Sequence, residues 1–182
     1  MLETRNAVIA EPSTTHESAF VAMVTDFEAY DAEKAEFYAA AKQHFGRYVQ
    51  DLLDQERGIN LNKGWVPCTH RWLVEPSGAV VGVTRLRHHI NTPFLANEGG
   101  HIGYDVAPSW RGKGYGHAAL RAALQEAQRL NIDRVLLVVD ENNVPSRRVV
   151  ESNGGNLETI TFSKHWNQRV CRFWIQIPRD DG

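Results

Sequence analysis

Three glycines at alternate positions, Gly112, Gly114 and Gly116, follow Arg111 and enclose Lys113. Glycine carries no Cβ, so a ligand can approach the peptide N–H groups of such a stretch. The residues that follow repeat apolar side chains at helical spacing. Leu120, Ala123, Leu124, Ala127 and Leu130 share one face, and Arg121, Gln125, Gln128 and Arg129 the other, which predicts a helix over 114–130. The first turn of a helix leaves its N–H groups unpaired and its dipole positive at that end. Bare backbone, dipole and two cations together favour an anion such as a pyrophosphate. The plainer alternative is a glycine-rich turn with two solvated basic residues.

Gly114-Tyr115-Gly116-His117-Ala118-Ala119 also fits the relaxed dinucleotide pattern G-x-G-x-x-A, and Asp140 ends the next strand where a ribose-binding acid would sit. Against a dinucleotide stand the residues intervening between Val106 and Gly114, and the single strand–helix–strand unit that is visible. The eight histidines show no H-x-x-x-H spacing on a helix and the two cysteines no C-x-x-C, so no metal site is expected.

The elements that must position the loop are legible from periodicity. Ala7–Ala10 reads as a first strand. Residues 15–55 carry apolar stripes at helical spacing (Phe20, Met23, Val24, Phe27; then Phe37, Ala40, Ala41, Phe45), which predicts two helices joined near Ala29–Ala32. Arg71–Glu75 and Ala79–His89 form a hairpin around Pro76-Ser77-Gly78. Asn91–Gly99 is a loop, and Gly100–Val106 a third strand. Arg134–Val139 is the apolar run of a parallel strand buried on both faces. Pro145–Ser152 is a short helix ended by Asn153-Gly154-Gly155, and strands at 156–162 and 169–177 close the chain. The fold class is α+β, with a right-handed crossover. With no repeat or linker, residues 1–182 are read as one domain.

Composition sets further bounds. Hydrophobic residues make up 42% and charged residues 23%, as in ordinary globular domains, and the net charge of −2 offers nucleic acid no basic surface. No apolar run reaches the roughly 20 residues of a membrane span, and the N-terminal stretch has no apolar core like that of a signal peptide. Cys68 and Cys171 are expected as reduced thiols, and the cytoplasm as the location.

The segment V-x-P-x-x-R-G-x-G-x-G ending at Gly116 resembles the acetyl-CoA motif of the GNAT N-acetyltransferase superfamily. Residues 143–155 match that family's next motif, N-x-x-[AS]…E-x-x-G, in the right order. The resemblance is clear over 72–177 and weaker over the first 65 residues. Arg87-His88, Asn91 and 99–104 further resemble a bacterial subgroup of predicted acetyltransferases. The resemblance implies a mixed, mostly antiparallel sheet with a central splayed parallel strand pair and flanking helices. It implies acetyl-CoA as acyl donor, its pyrophosphate on the backbone of Arg111, Gly112, Lys113, Gly114, Tyr115 and Gly116. The pantetheine arm would pair with backbone near Val106, contact the amide of Asn143, and fill the gap between the splayed strands.

A small-molecule primary amine is the expected acceptor, attacked in a ternary complex; a protein N-terminus or lysine is the alternative. Many members carry a tyrosine acid seven residues after the motif asparagine, and this chain has Val150 there. That departure makes a non-catalytic acyl-CoA-binding module the opposing class. Ser146 is the substitute acid, or else an ordinary first-turn serine; Tyr104 is the second candidate, or else a core tyrosine. Glu98 and His101 are candidate bases. Strand alternation puts Glu98, Ile102 and Tyr104 on one face and His101, Gly103 and Asp105 on the other, unless a bulge at Gly99-Gly100 re-aims the first of them. By the same analogy the N-terminal helices and Trp65 cover the acceptor side, and His88 or His89 points to it. A homodimer is left open.

Overall fold

Phe20, Met23, Val24 and Phe27 are buried along one side of α1 (Glu17–Tyr30), which packs on the face of a four-stranded sheet carrying Trp72, Val74 and Val83. The computed structural model describes residues 7–178. Its first sheet has the order β1-β2-β3-β4, all antiparallel: β1 Val8–Ala10, β2 Cys68–Val74, β3 Val80–Arg87 and β4 Ile102–Val106. A second antiparallel sheet joins β5 (Arg134–Asp140), β7 (Gln168–Gln176) and β6 (Asn156–Ser163) in that order. Helix α5 (Tyr115–Arg129) covers the opposite face of the first sheet and connects β4 to β5. Its Leu120, Ala123 and Ala127 pack with Leu86, Ile102, Val135 and Leu137. Helix α6 (Val144–Ser152) lies beside α5.

The single helix expected after Ala32 is in three pieces: α2 (Ala32–Ala35), α3 (Ala39–Gln43) and α4 (Phe45–Arg57), with a tight 3₁₀ turn at Glu36–Tyr38. His44 leaves helical geometry at φ −147° and ψ 80°. The break lets Tyr38, Ala41 and Phe45 all enter one core, a tertiary demand that local periodicity does not encode. The helix ends at Gly58, in the left-handed conformation at φ 72°.

The β2–β3 hairpin turns at Gly78, φ 89°, with Gly78 N–H donating to Glu75 O at 2.7 Å. The loop expected at 91–99 contains a π-helical turn over Leu95–Gly99, which also removes Glu98 from the strand on which alternation had placed it.

Between β4 and β5 the two sheets meet at one place. His101 N–H donates to Leu136 O at 2.7 Å, and Leu136 N–H returns to His101 Nδ1 at 3.0 Å. Gly100 makes this contact possible, because a Cβ there would lie 2.6 Å from Leu136 O. Beyond His101 no backbone hydrogen bond joins β4 to β5 among the described residues. Ala107 N–H bonds to Val81 O, so alternation turns the backbone groups of Tyr104 and Val106 away from β3 and into the gap.

Candidate active site

The glycine loop sits at the open end of this split. Gly112 and Gly114 adopt φ 73° and 86°, conformations that favour glycine, and Gly114 caps α5. Arg111, His117 and Ala118 use their N–H groups on Pro108 O and Gly114 O. Those of Gly112, Lys113, Gly114, Tyr115 and Gly116 donate to no acceptor among the described residues. Five adjacent unpaired donors at the positive end of a 15-residue helix make an anion cradle.

The side chains of the loop are committed elsewhere. Arg111 Nη2 pairs with Asp31 Oδ2 at 2.5 Å and its Nε with Val106 O at 3.1 Å. Lys113 Nζ donates to Ser109 O at 2.9 Å and lies 4.8 Å over the Trp110 ring. Tyr115 is buried against Leu73, Val81 and Ala119, its hydroxyl without a partner among the described residues, so only its backbone reaches the loop surface. Asp26 anchors the start of the loop, accepting from Ser109 N at 2.9 Å and Ser109 Oγ at 2.6 Å. Asp26 of α1 and Asp31, the residue that caps its C-terminus, therefore hold the loop through two carboxylates.

Across the split, Tyr104 Oη lies 2.8 Å from Ser146 Oγ. The α6 cap is supplied by Asn143, whose Oδ1 accepts from Ser146 N at 3.1 Å, so the Ser146 hydroxyl is not used on backbone. Burial raises the Tyr104 pKa, and the Ser146 bond only partly offsets that, so the phenol keeps its proton at neutral pH. Gly116 permits the arrangement: a Cβ there would meet Val149 at 3.3 Å and the Tyr104 ring at 3.7 Å. Val150 is fully buried in the core with Leu137 and Cys171.

Glu98 and His101 are differently placed. Glu98 accepts a short hydrogen bond from Ser163 Oγ through Oε2, while Oε1 has no partner among the described residues. His101 is buried, and burial followed by the charge of Arg87 lowers its pKa to about 4. With Nδ1 accepting from Leu136 N–H, the neutral ring carries its proton on Nε2. His88 Nε2 pairs with Thr69 Oγ1 at 2.9 Å. His89 is exposed beside it. Trp65 is 54% exposed, two residues before Pro67, whose carbonyl extends the hairpin to His88.

Sequence reasoning passed over a polar cluster on the α1–α4 face. Asp105 accepts from Tyr38 Oη and Arg85 Nη2, each at 2.6 Å, and pairs with Lys34 Nζ at 3.0 Å. Burial pushes the carboxyl up, but Arg85 and Lys34 outweigh it and hold Asp105 well below the usual carboxylate range. The available signal was Arg85 and Arg87, two residues apart in an otherwise buried strand and so on one face.

A family model described as the acetyltransferase (GNAT) domain matches residues 19–156. The chain belongs to the GNAT acetyltransferase family. The GNAT fold extends over nearly the whole chain. A ribosomal-protein α-N-acetyltransferase, RimL, solved with coenzyme A, superposes with TM-score 0.71 at 18% identity, covering 98% of this chain and 99% of that one. A spermidine N-acetyltransferase chimera of Vibrio cholerae and hSSAT gives 0.63 at 16% identity, covering 93% and 95%. A ribosomal-protein alanine acetyltransferase of Vibrio fischeri gives 0.58 at 17%, covering 75% and 72%. No curated protein matches the sequence. GNAT enzymes take their acyl group from acetyl-CoA, and the split sheet with its glycine cradle is the feature of this chain that suits such a donor. Among the described residues no helix is long and apolar enough to cross a membrane, and no three His, Cys, Asp or Glu side chains gather as a metal site.

Proposed function

We propose that this enzyme transfers the acetyl group of acetyl-CoA directly to the primary amine of a small molecule. The observation that carries the reading is the β4–β5 split, with unpaired N–H groups of Gly112–Gly116 at one end and the Tyr104–Ser146 hydroxyl pair across it. The pyrophosphate would rest on those N–H groups. The pantetheine arm would take the place of a missing strand along the backbone of Tyr104 and Val106 that faces the gap, where Arg111 Nε now holds Val106 O, with the Asn143 Nδ2 amide beside it.

Bound acetyl-CoA supplies a thioester carbon open to attack; the remaining work belongs to the chain. Holding amine and thioester together lowers the barrier by several kcal/mol. As the new C–N bond forms and the C–S bond breaks, the sulfur needs a proton. Tyr104 and Ser146 supply it as a pair: one hydroxyl donates to the sulfur, the other passes it a proton, and solvent restores the second. Because a thiol pKa is near 8.5, the assistance is modest. Glu98, with Oε1 unused, receives the proton lost by the amine; His101 has no lone pair left for that role.

The test is an amine panel scored by thiol release and by mass of the acetylated product. Amine-dependent release at saturating acetyl-CoA supports transfer. Acetyl-CoA binding without amine-dependent turnover on any member would leave the non-catalytic module as the account.

A further inference from the structure

Arg87 lies at the closed end of the split. Its N–H donates to His101 O at 2.8 Å, directly opposite the residue that clamps β4 to β5. It shares the α1–α4 face of β3 with Arg85, and Cys68 and His70 face the same way from β2. That face carries Lys34, Arg85 and Arg87, and Asp105 is the carboxylate that pairs with the first two. Lys34 and Arg85 are both spent on Asp105. Arg87 forms no ion pair among the described residues, and its Nη1 reaches only the carbonyls of Gly99 and Gly100, at 3.2 and 3.1 Å. The nearest carboxylate along the chain, Glu98, turns instead to Ser163.

A half-buried guanidinium held only by carbonyl oxygens is an incompletely compensated charge. Burial, with the neighbouring Arg85 adding to it, disfavours its charged form, and burial, with these cations adding to it, lowers the pKa of His70 and of His101. A planar fork with Nε and Nη2 unused is suited to an oxyanion.

From this we infer that the acceptor is an amine that also bears an oxyanion, a carboxylate or a phosphate, which Arg87 holds while the amine reaches the acetyl group. The inference rests on the acetyl-transfer reading and narrows it. Strand geometry sets the reach: from His101 to Tyr104 is about 10 Å along β4, a span that the Arg87 side chain and a small amino acid cover together. Polyamines, cationic at both ends, are disfavoured by the same face.

The experiment compares matched amines on the full-length enzyme: amino acids, their α-amides and their decarboxylated amines, with phosphoserine and phosphoethanolamine set against serine amide and ethanolamine. Acetyl-CoA affinity is measured separately by calorimetry. The expected result is a kcat/KM at least tenfold higher for the anion-bearing member, expressed mainly in KM. In R87Q this ratio should collapse about tenfold to a hundredfold, with R87K recovering part of it. Damage to the Gly99–Gly100 turn alone would lower acid and amide together and leave the ratio intact, which overturns the inference. Equal turnover of acid and amide, or preference for a polyamine, overturns it while leaving acetyl transfer standing. Acetyl-CoA binding with no amine acetylated defeats both; the carboxylate and phosphate arms identify which oxyanion is used.

Discussion

Tyr104 and Ser146 face each other across the β4–β5 split, their hydroxyl oxygens 2.8 Å apart, although 42 residues separate them in sequence. The bond joins the strand that borders the gap to the first turn of α6. Neither hydroxyl is consumed by a helix cap, and Val150, at the position where a tyrosine acid was sought, is sealed in the core.

If the two hydroxyls act as one proton donor, removing either should remove most of the effect. Y104F and S146A should each lower kcat about tenfold to a hundredfold, and the double variant should lose little more than the worse single one. Acetyl-CoA affinity should hold. Fully multiplicative losses would show that the groups act separately, and unchanged kcat in both would mean that the thiolate leaves unassisted.

The cradle should be sensitive to backbone and tolerant of side-chain change. G114V places a β-branched residue at φ 86°, costing about 1–2 kcal/mol of stability, and crowds the N–H row. It should weaken acetyl-CoA binding at least tenfold in the folded fraction. R111A breaks a contact with Asp31 and K113A one with Ser109 O, so each should have a smaller effect. Calorimetric titration of the three variants at a temperature well below their Tm separates binding from folding.

Acid should destabilise the fold in a way traceable to buried histidines. Burial, with Arg87 next, lowers His101 from 6.5 to about 4, and burial, with Arg85 next, lowers His70 to about 3. The native state thus binds fewer protons than the unfolded chain below pH 6.5. Stability is fully present above that pH and is lost as pH falls toward 4 and 3, on the order of a few kcal/mol in all. H101N keeps an acceptor for Leu136 N–H without titrating, so its Tm should fall less steeply between pH 6.5 and 4. An identical slope would assign the loss elsewhere.

The Asp105 cluster should be a stability element. D105N leaves Arg85 and Lys34 without their shared carboxylate at a buried site and should cost about 3–5 kcal/mol. Y38F removes only one hydrogen bond and should cost about 1–2 kcal/mol. Urea unfolding of both variants tests the order; a D105N loss no larger than that of Y38F would show that the cations find other partners.

Local chemistry was enough for the glycine cradle, because a left-handed turn followed by a helix is a property of neighbouring residues. The same holds for the β2–β3 hairpin around Gly78 and for the apolar face of α5. The α+β order was likewise within reach of residues a few positions apart, whereas the Asn143 cap of α6 is seen only in the structure. What the sequence left open depends on distant side chains meeting. Ser146 and Tyr104 read singly as a helix serine and a core tyrosine, and only the approach of α6 to β4 pairs them. His101 looked like a base until the sheet junction turned its Nδ1 onto Leu136 N–H. Glu98 sat on a strand by alternation, and the π-helical turn moved it. Arg87 carried only its spacing from Arg85 and its place in the subgroup resemblance, and neither shows what faces it. Its lack of a carboxylate is a property of the whole face, because the balance of charge in a cleft is set by every element that closes around it.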